Sequence, residues 1–177
     1  MPRRLRALAE ELGIPPSLPA ERGLQVFEEA GALAVAEVSE QGREFLLVPA
    51  AAAAWQRMKA MAAADGVVLY LVSAFRSIER QADIIRRKLH AGASIESILA
   101  VNAPPGYSEH HSGRAVDVAT PGSPPLETAF ETTAAFGWLA RHAEVHGFTL
   151  SYPRGNAGGY LYEPWHWCYV ASGDGCA

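Results

Sequence analysis

An α+β fold, with a small mixed but mainly antiparallel sheet flanked by helices, is what this sequence predicts. Three observations lead there. Strand-like and helical runs alternate without the regular spacing of βαβ units. The run Val67-Val68-Leu69-Tyr70-Leu71-Val72 is short, apolar and rich in β-formers, which marks it as the best candidate for a buried central strand. The length of 177 residues, with 49% hydrophobic and 19% charged side chains, suits one globular domain with a small elaboration.

In chain order, residues 2–13 read as a helix stopped by Gly13, with Pro15 and Pro16 behind it. Residues 32–38 and 44–48 are strand-like around Glu40-Gln41-Gly42 and form a hairpin. The alanine-rich stretch 49–64 predicts a helix that ends at Asp65-Gly66. The strand over 67–72 leads through Ser73-Ala74-Phe75-Arg76-Ser77 into a helix over 78–90. Residues 101–113 carry Pro104, Pro105, Gly106 and Gly113 and read as loop. A strand over 114–119, a linker over 121–125 and a long helix over 127–146 capped by Gly147 follow. Residues 148–152 and 165–170 close the chain as strands, on either side of a glycine-rich turn at 155–159. Residues 1–45 read as an N-terminal helix-and-hairpin elaboration, and 46–177 as the main domain.

A net charge of −4 argues against nucleic acid or an anionic membrane as partner. Arg3, Arg4 and Arg6 read as a solvated helix end. No apolar run approaches the ~20 residues that span a bilayer. Glu10, Glu11, Pro15, Pro16, Glu21 and Arg22 interrupt any signal-peptide core. If Met1 is the native start, the expected compartment is the cytoplasm; if a leader was removed, the protein is periplasmic or exported. Cys168 and Cys176 are too few for a disulfide framework, and read as a small buried residue and a tail thiol.

Three places carry candidate chemistry. In the segment from Ser108 to Asp117, strand alternation puts Asp117 on one face with Ala115 and Ala119, whose small side chains leave room for a metal and a substrate. His110 lies before a glycine turn that swings it back towards Asp117. In Glu163-Pro164-Trp165-His166, His166 begins the last strand with Trp165 and Trp167 on the opposite face, and Pro164 keeps Glu163 extended. Arg76 follows the apolar strand, where loops carry function. Two imidazoles and a carboxylate make a zinc set that leaves a fourth position for water. A nearby glutamate serves as general base, and an arginine holds a carboxylate through paired hydrogen bonds. On spacing alone, His110 and His166 also read as ordinary polar residues near a surface.

The residues Ser73-Ala74-Phe75-Arg76-Ser77 with Gln81, Pro105-Gly106-Tyr107-Ser108-Glu109-His110 through Asp117, Phe136-Gly137-Trp138-Leu139, Gly147-Phe148, Tyr152-Pro153 and Glu163-Pro164-Trp165-His166 agree in order and approximate spacing with a known family. Over residues 67–170 the sequence resembles the VanY-type D-alanyl-D-alanine carboxypeptidases of the M15 zinc metallopeptidases, which include L,D-carboxypeptidases. The resemblance implies a mononuclear site in which His110, Asp117 and His166 bind one Zn2+ per chain. It implies Glu163 as catalytic base, and Arg76 as the group that stabilises the polarised carbonyl or grips the terminal carboxylate. Gln81 and Ser108 are implied to hydrogen-bond the substrate's D-alanine end, and Trp165 to shape the pocket wall. The implied partners are peptidoglycan stem peptides or muropeptides. His111 stands where relatives often carry Gln or Asn, and is expected to be an exposed spectator.

His142 and His146 at i, i+4 spacing are a weaker metal pair, because Glu144 is one place away from the H-E-x-x-H arrangement. Cys168 as a fourth ligand would close the position that water needs. His90 complements a helix C-terminus, and Tyr160 and Tyr162 line a pocket or pack in the core. The expected reaction removes the terminal D-alanine, with L,D-cleavage of a tetrapeptide favoured over D,D-cleavage of a pentapeptide. The competing readings are a lysin-type endopeptidase of wall cross-links and a non-catalytic zinc module that binds peptidoglycan.

Overall fold

The protein, described here over residues 2–170 from a computed structural model, has the expected α+β architecture. Helices α1 (Arg3–Glu11) and α2 (Leu18–Glu21) precede a hairpin of β1 (Ala34–Val38) and β2 (Glu44–Leu47). Then come α3 (Pro49–Ala64), β3 (Tyr70–Ser73), α4 (Ile78–His90), α5 (Ile95–Leu99), β4 (Ala115–Ala119), α6 (Ala134–His142), β5 (Phe148–Leu150) and β6 (His166–Tyr169). The strands β3 to β6 form one antiparallel sheet in the order β3-β4-β6-β5.

Alanine content and Pro49 at the first helical position set α3, which buries Ala51, Ala54, Trp55, Met58 and Ala62 against the sheet. Ser77 caps α4 by accepting a hydrogen bond from the Arg80 amide at 3.1 Å. The centre of the sheet is β4, buried along its whole length: Val116 and Val118 join the main core with Trp167, Trp55 and Phe148. A second apolar cluster joins α1 to α4 and α5 through Leu8, Leu12, Ala82, Ile85, Ile98 and Leu99.

Three expectations are corrected. The strand after α3 begins at Tyr70, so Val67 to Leu69 precede it, and it lies at the edge of the sheet rather than its centre. That edge is covered: the Glu37 carboxylate of β1 accepts from the Leu71 amide at 3.2 Å, as well as from the Trp55 indole at 2.9 Å, and pairs with Lys59. The long helix over 127–146 is broken into a 3₁₀ turn, α6 and a second 3₁₀ turn. Thr133 breaks it, because its extended backbone and hydroxyl cap the Phe136 amide and start a new helix. Cys168 is half-buried rather than fully buried, and Cys176 lies outside the described residues. Among the described residues no helix is long and apolar enough to cross a membrane.

Glu37 ties the hairpin to both α3 and β3. Glu37→Ala leaves two buried N–H groups without an acceptor, with an expected loss of about 2 kcal/mol. It should appear as a lower urea midpoint at unchanged slope; an unchanged midpoint would show that the hairpin is anchored elsewhere.

Candidate metal centre

The sheet register assembles the centre. On β4, Asp117 lies directly opposite His166 on β6. Directly opposite residues of an antiparallel pair bring their side chains together on one face. His110 arrives from a 3₁₀ turn, Glu109–Ser112, that ends at Gly113 with φ 66°. A side chain at Gly113 would crowd Ala30, Leu33 and Val48, so the glycine serves both the left-handed turn and the close packing.

His110, Asp117 and His166 are buried, and one ligand atom from each lies within 4.8 Å of the others. His110 Nδ1 lies 2.7 Å from the Ala74 carbonyl, which can only accept, so Nδ1 carries the proton. Its Nε2 lone pair therefore faces an Asp117 oxygen at 3.1 Å with no proton between them. A cation relieves that opposition of lone pairs, and this is the best evidence that the donor set fits a metal ion. His166 Nδ1 lies 2.9 Å from the other Asp117 oxygen, and its Nε2 lies 2.9 Å from Glu109. The Ser151 hydroxyl donates to the same Glu109 oxygen at 2.6 Å. Glu109 thus orients the His166 ring from behind and leaves Nδ1 to face the centre.

Burial pushes the His110 imidazole down to about 4, so it is neutral. Burial opposes ionisation of Asp117, but the hydrogen bond and positive charge of His166 outweigh it and hold the carboxyl well below its usual range. Burial likewise disfavours a charged His166, yet its hydrogen bonds to Asp117 and Glu109 raise it to about 10. Glu109, also buried, is held ionised by His166 and Ser151.

A cavity of about 280 Å³ opens beside the cluster, and Arg76, Gln81, Ser108, Glu163 and Trp165 all line it. The Glu163 carboxylate lies 3.9 Å from His166 Nδ1, and burial pushes its pKa up to about 7. The Arg76 guanidinium donates to Gln81 Oε1 at 2.9 Å, and Gln81 Nε2 donates to the Ala103 carbonyl at 2.7 Å. Gln81 therefore braces Arg76, whose Nε is buried with no partner. Lys88 lines the same cavity, and its ammonium makes no ion pair among the described residues. Trp165 sits in the turn before β6 and walls the cavity, outside the strand alternation expected of it.

Sequence reasoning missed Glu109. The signal was the carboxylate beside His110, but no spacing rule ties it to a histidine 57 residues away. The expectation for His111 is corrected: the residue is fully buried, accepts from the Gly106 amide at 3.1 Å, and places Nδ1 2.6 Å from the Arg76 carbonyl. His142 and His146 lie against the Trp138 ring and stand apart from the cluster.

Residues 44–172 match the family described as VanY, D-alanyl-D-alanine carboxypeptidase. The chain belongs to that family. YodJ of Bacillus subtilis (strain 168) is 36% identical over 123 residues, covering 68% of this chain and 45% of YodJ. A D-alanyl-D-alanine carboxypeptidase of Enterococcus faecalis (strain ATCC 700802 / V583) is 34% identical over 122 residues, covering 62% of this chain and 42% of that protein. The chain therefore spans less than half the length of these relatives. Among solved structures, the LdcB LD-carboxypeptidase superposes with a TM-score of 0.71 at 31% identity, covering 80% of this chain and 69% of LdcB. A vancomycin-resistance D,D-pentapeptidase, VanY, solved with Zn(II), superposes at 0.61 and 27% identity, covering 82% of this chain and 80% of that one.

The donor set predicts one divalent ion per VanY-family chain, measured by zinc titration and elemental analysis. Asp117→Ala should abolish stoichiometric binding. Glu109→Ala should weaken it about 10- to 100-fold by freeing the His166 ring; full affinity in Glu109→Ala would remove Glu109 from the centre.

Proposed function

We propose that this protein is a zinc metallocarboxypeptidase that removes the terminal D-alanine from peptidoglycan stem peptides. The observation that carries the reading is the convergence of Glu163 and Arg76 on one cavity beside the His110–Asp117–His166 cluster. Two imidazoles and one carboxylate suit zinc and leave room for further ligation. The VanY relative solved with Zn(II) supports that choice of metal. When bound, zinc supplies an acidified water and a polarised carbonyl.

The chain's own groups do the rest. Glu163 takes the attacking water's proton and returns it to the departing amine, and its raised pKa suits both transfers. Arg76, braced by Gln81, presents N–H groups to the developing oxyanion or to the terminal carboxylate. Lys88 adds a second positive charge, so the cavity favours a substrate that ends in a carboxylate. Ser108 offers a hydroxyl at the wall, and Trp165 and Tyr152 shape the apolar side that excludes water. A binding-only module would have no need of a buried base beside the cluster, and this favours hydrolysis over simple recognition.

Within that reaction we favour cleavage of the L,D bond of a tetrapeptide. The higher identity to the LdcB LD-carboxypeptidase, 31% against 27% for VanY, supports it. Mass spectrometry of products from a defined tetrapeptide and pentapeptide tests both levels. Loss of one alanine from the tetrapeptide alone is expected; loss from the pentapeptide alone makes the enzyme D,D-specific; two intact peptides with zinc bound defeat the carboxypeptidase reading.

Glu163→Gln should keep its zinc and lose about 10²- to 10⁴-fold in kcat. The base works deprotonated, so kcat/KM rises with pH as Glu163 ionises. Burial sets that group at about 7 in the metal-free protein, and a bound cation draws it lower. The expected profile has its acid limb below pH 7; an acid limb that persists unchanged in the residual activity of Glu163→Gln would remove Glu163 from the role of base.

A further inference from the structure

We propose that Arg22, which precedes the family-matched segment, is a positioning residue that holds the outer wall of the substrate pocket through Tyr160. This rests on the carboxypeptidase reading of the same cavity. Arg22 ends α2, and its guanidinium makes three contacts. Nε donates to the Gly158 carbonyl at 2.6 Å, Nη1 donates to the Leu99 carbonyl at 2.8 Å, and the planar group lies 4.1 Å from the centroid of the Tyr160 ring.

From there a chain of tilted ring contacts runs inward. The Tyr160 ring lies 4.9 Å from Tyr152, and Tyr152 lies 4.7 Å from the His166 ring. Tyr152, Tyr160 and His166 all line the cavity. One cation outside the pocket thus backs a column of rings that ends on a residue of the metal cluster.

The column needs a backing. Tyr160 follows Gly155, Gly158 and Gly159, and glycines leave the chain free to adopt many conformations. Asn156 ties that loop to itself by bonding Tyr160 and Pro153, but these bonds do not attach it to the rest of the protein. Arg154 pairs with Glu131 at the start of the loop, and on the cavity side attachment comes from the Leu161 amide to the Ala100 carbonyl and from Arg22, which spans the loop and the end of α5 together. The residues just beyond α5, Val101 and Asn102, form another part of the cavity wall. Arg22 therefore fixes the separation of two wall segments, and a planar fork with a stacking face suits that task better than an ammonium.

The test uses the zinc-loaded full chain, with the stem peptide that the wild type turns over. Arg22→Met should raise KM about tenfold, with kcat within about threefold and zinc content unchanged. Arg22→Lys, which keeps the charge over the ring, should recover part of the loss. In a Tyr160→Leu background the effect of Arg22→Met should shrink, because the ring through which Arg22 reaches the pocket is gone and only its two carbonyl bonds remain to be lost. Amide hydrogen exchange over residues 155–162 should quicken in Arg22→Met. An unchanged KM, or a KM rise of equal size in both backgrounds, overturns the proposal. If Arg22→Met does not fold, Arg22→Lys with and without Tyr160→Leu provides the same comparison. If the wild type cuts neither peptide, the carboxypeptidase reading has failed, and the exchange measurement alone decides Arg22: unchanged exchange in the loop overturns its positioning role.

Discussion

The structure depends on a carboxylate placed in the middle of its sheet. Asp117 is buried at the centre of β4, where an unmatched charge costs several kcal/mol and must be compensated. The sheet order supplies the compensation. With β6 on one side, His166 lies opposite Asp117; with β3 on the other, the chain runs on from Ser73 to Ala74, whose carbonyl orients His110. A slip of one residue between β4 and β6 would turn His166 to the far face and strand the carboxylate among apolar side chains. The apolar face of the same strands opposes such a slip, because Val116, Val118 and Trp167 would have to leave the core. The hydrophobic pattern therefore fixes the register, and the register fixes the metal cluster.

The two histidines reach different states for separate physical reasons. His110 gives its proton to a backbone carbonyl and meets Asp117 with a lone pair, so burial keeps it neutral. His166 lies between two carboxylates and is held positive by its hydrogen bonds to them. A bound cation would replace one of its protons, and Glu109, which holds the Nε2 side of the ring, would keep the ring oriented for it.

Local signals made much of this legible. Alanine content and the stop at Asp65-Gly66 marked α3, and both α3 and α4 occupy the stretches expected. Alternation after Gly113 put Asp117 on the face with Ala115 and Ala119, and the family resemblance joined His110 and His166 to it. What could not be counted was long-range. Three β-formers, Val67 to Leu69, lie outside the strand because β3 pairs only where β4 reaches it, from Tyr70 to Ser73. A period-3.6 stripe over 127–146 concealed the Thr133 cap, whose hydroxyl competes with helix bonding only at the third-residue level. Glu109 was hidden because its partner lies on another strand, and Arg22 because nothing near it in sequence requires a clamp.

His111 shows how a polar residue beside a ligand can be structural and still serve the pocket. Its ring receives the Gly106 amide on one nitrogen, so the other nitrogen bears the proton that it donates to the Arg76 carbonyl. One side chain thus ties the proline-glycine loop to the backbone of Arg76, which lines the cavity. The requirement is for one donor and one acceptor at that reach, which the amide of a Gln or Asn would also supply. Burial pushes the ring's pKa down, so it stays neutral and its two bonds persist as the pH falls towards the acid limb. Near neutrality the carboxylate of Glu163, which faces the cavity, can therefore titrate while the His111 bonds that hold the Arg76 backbone persist.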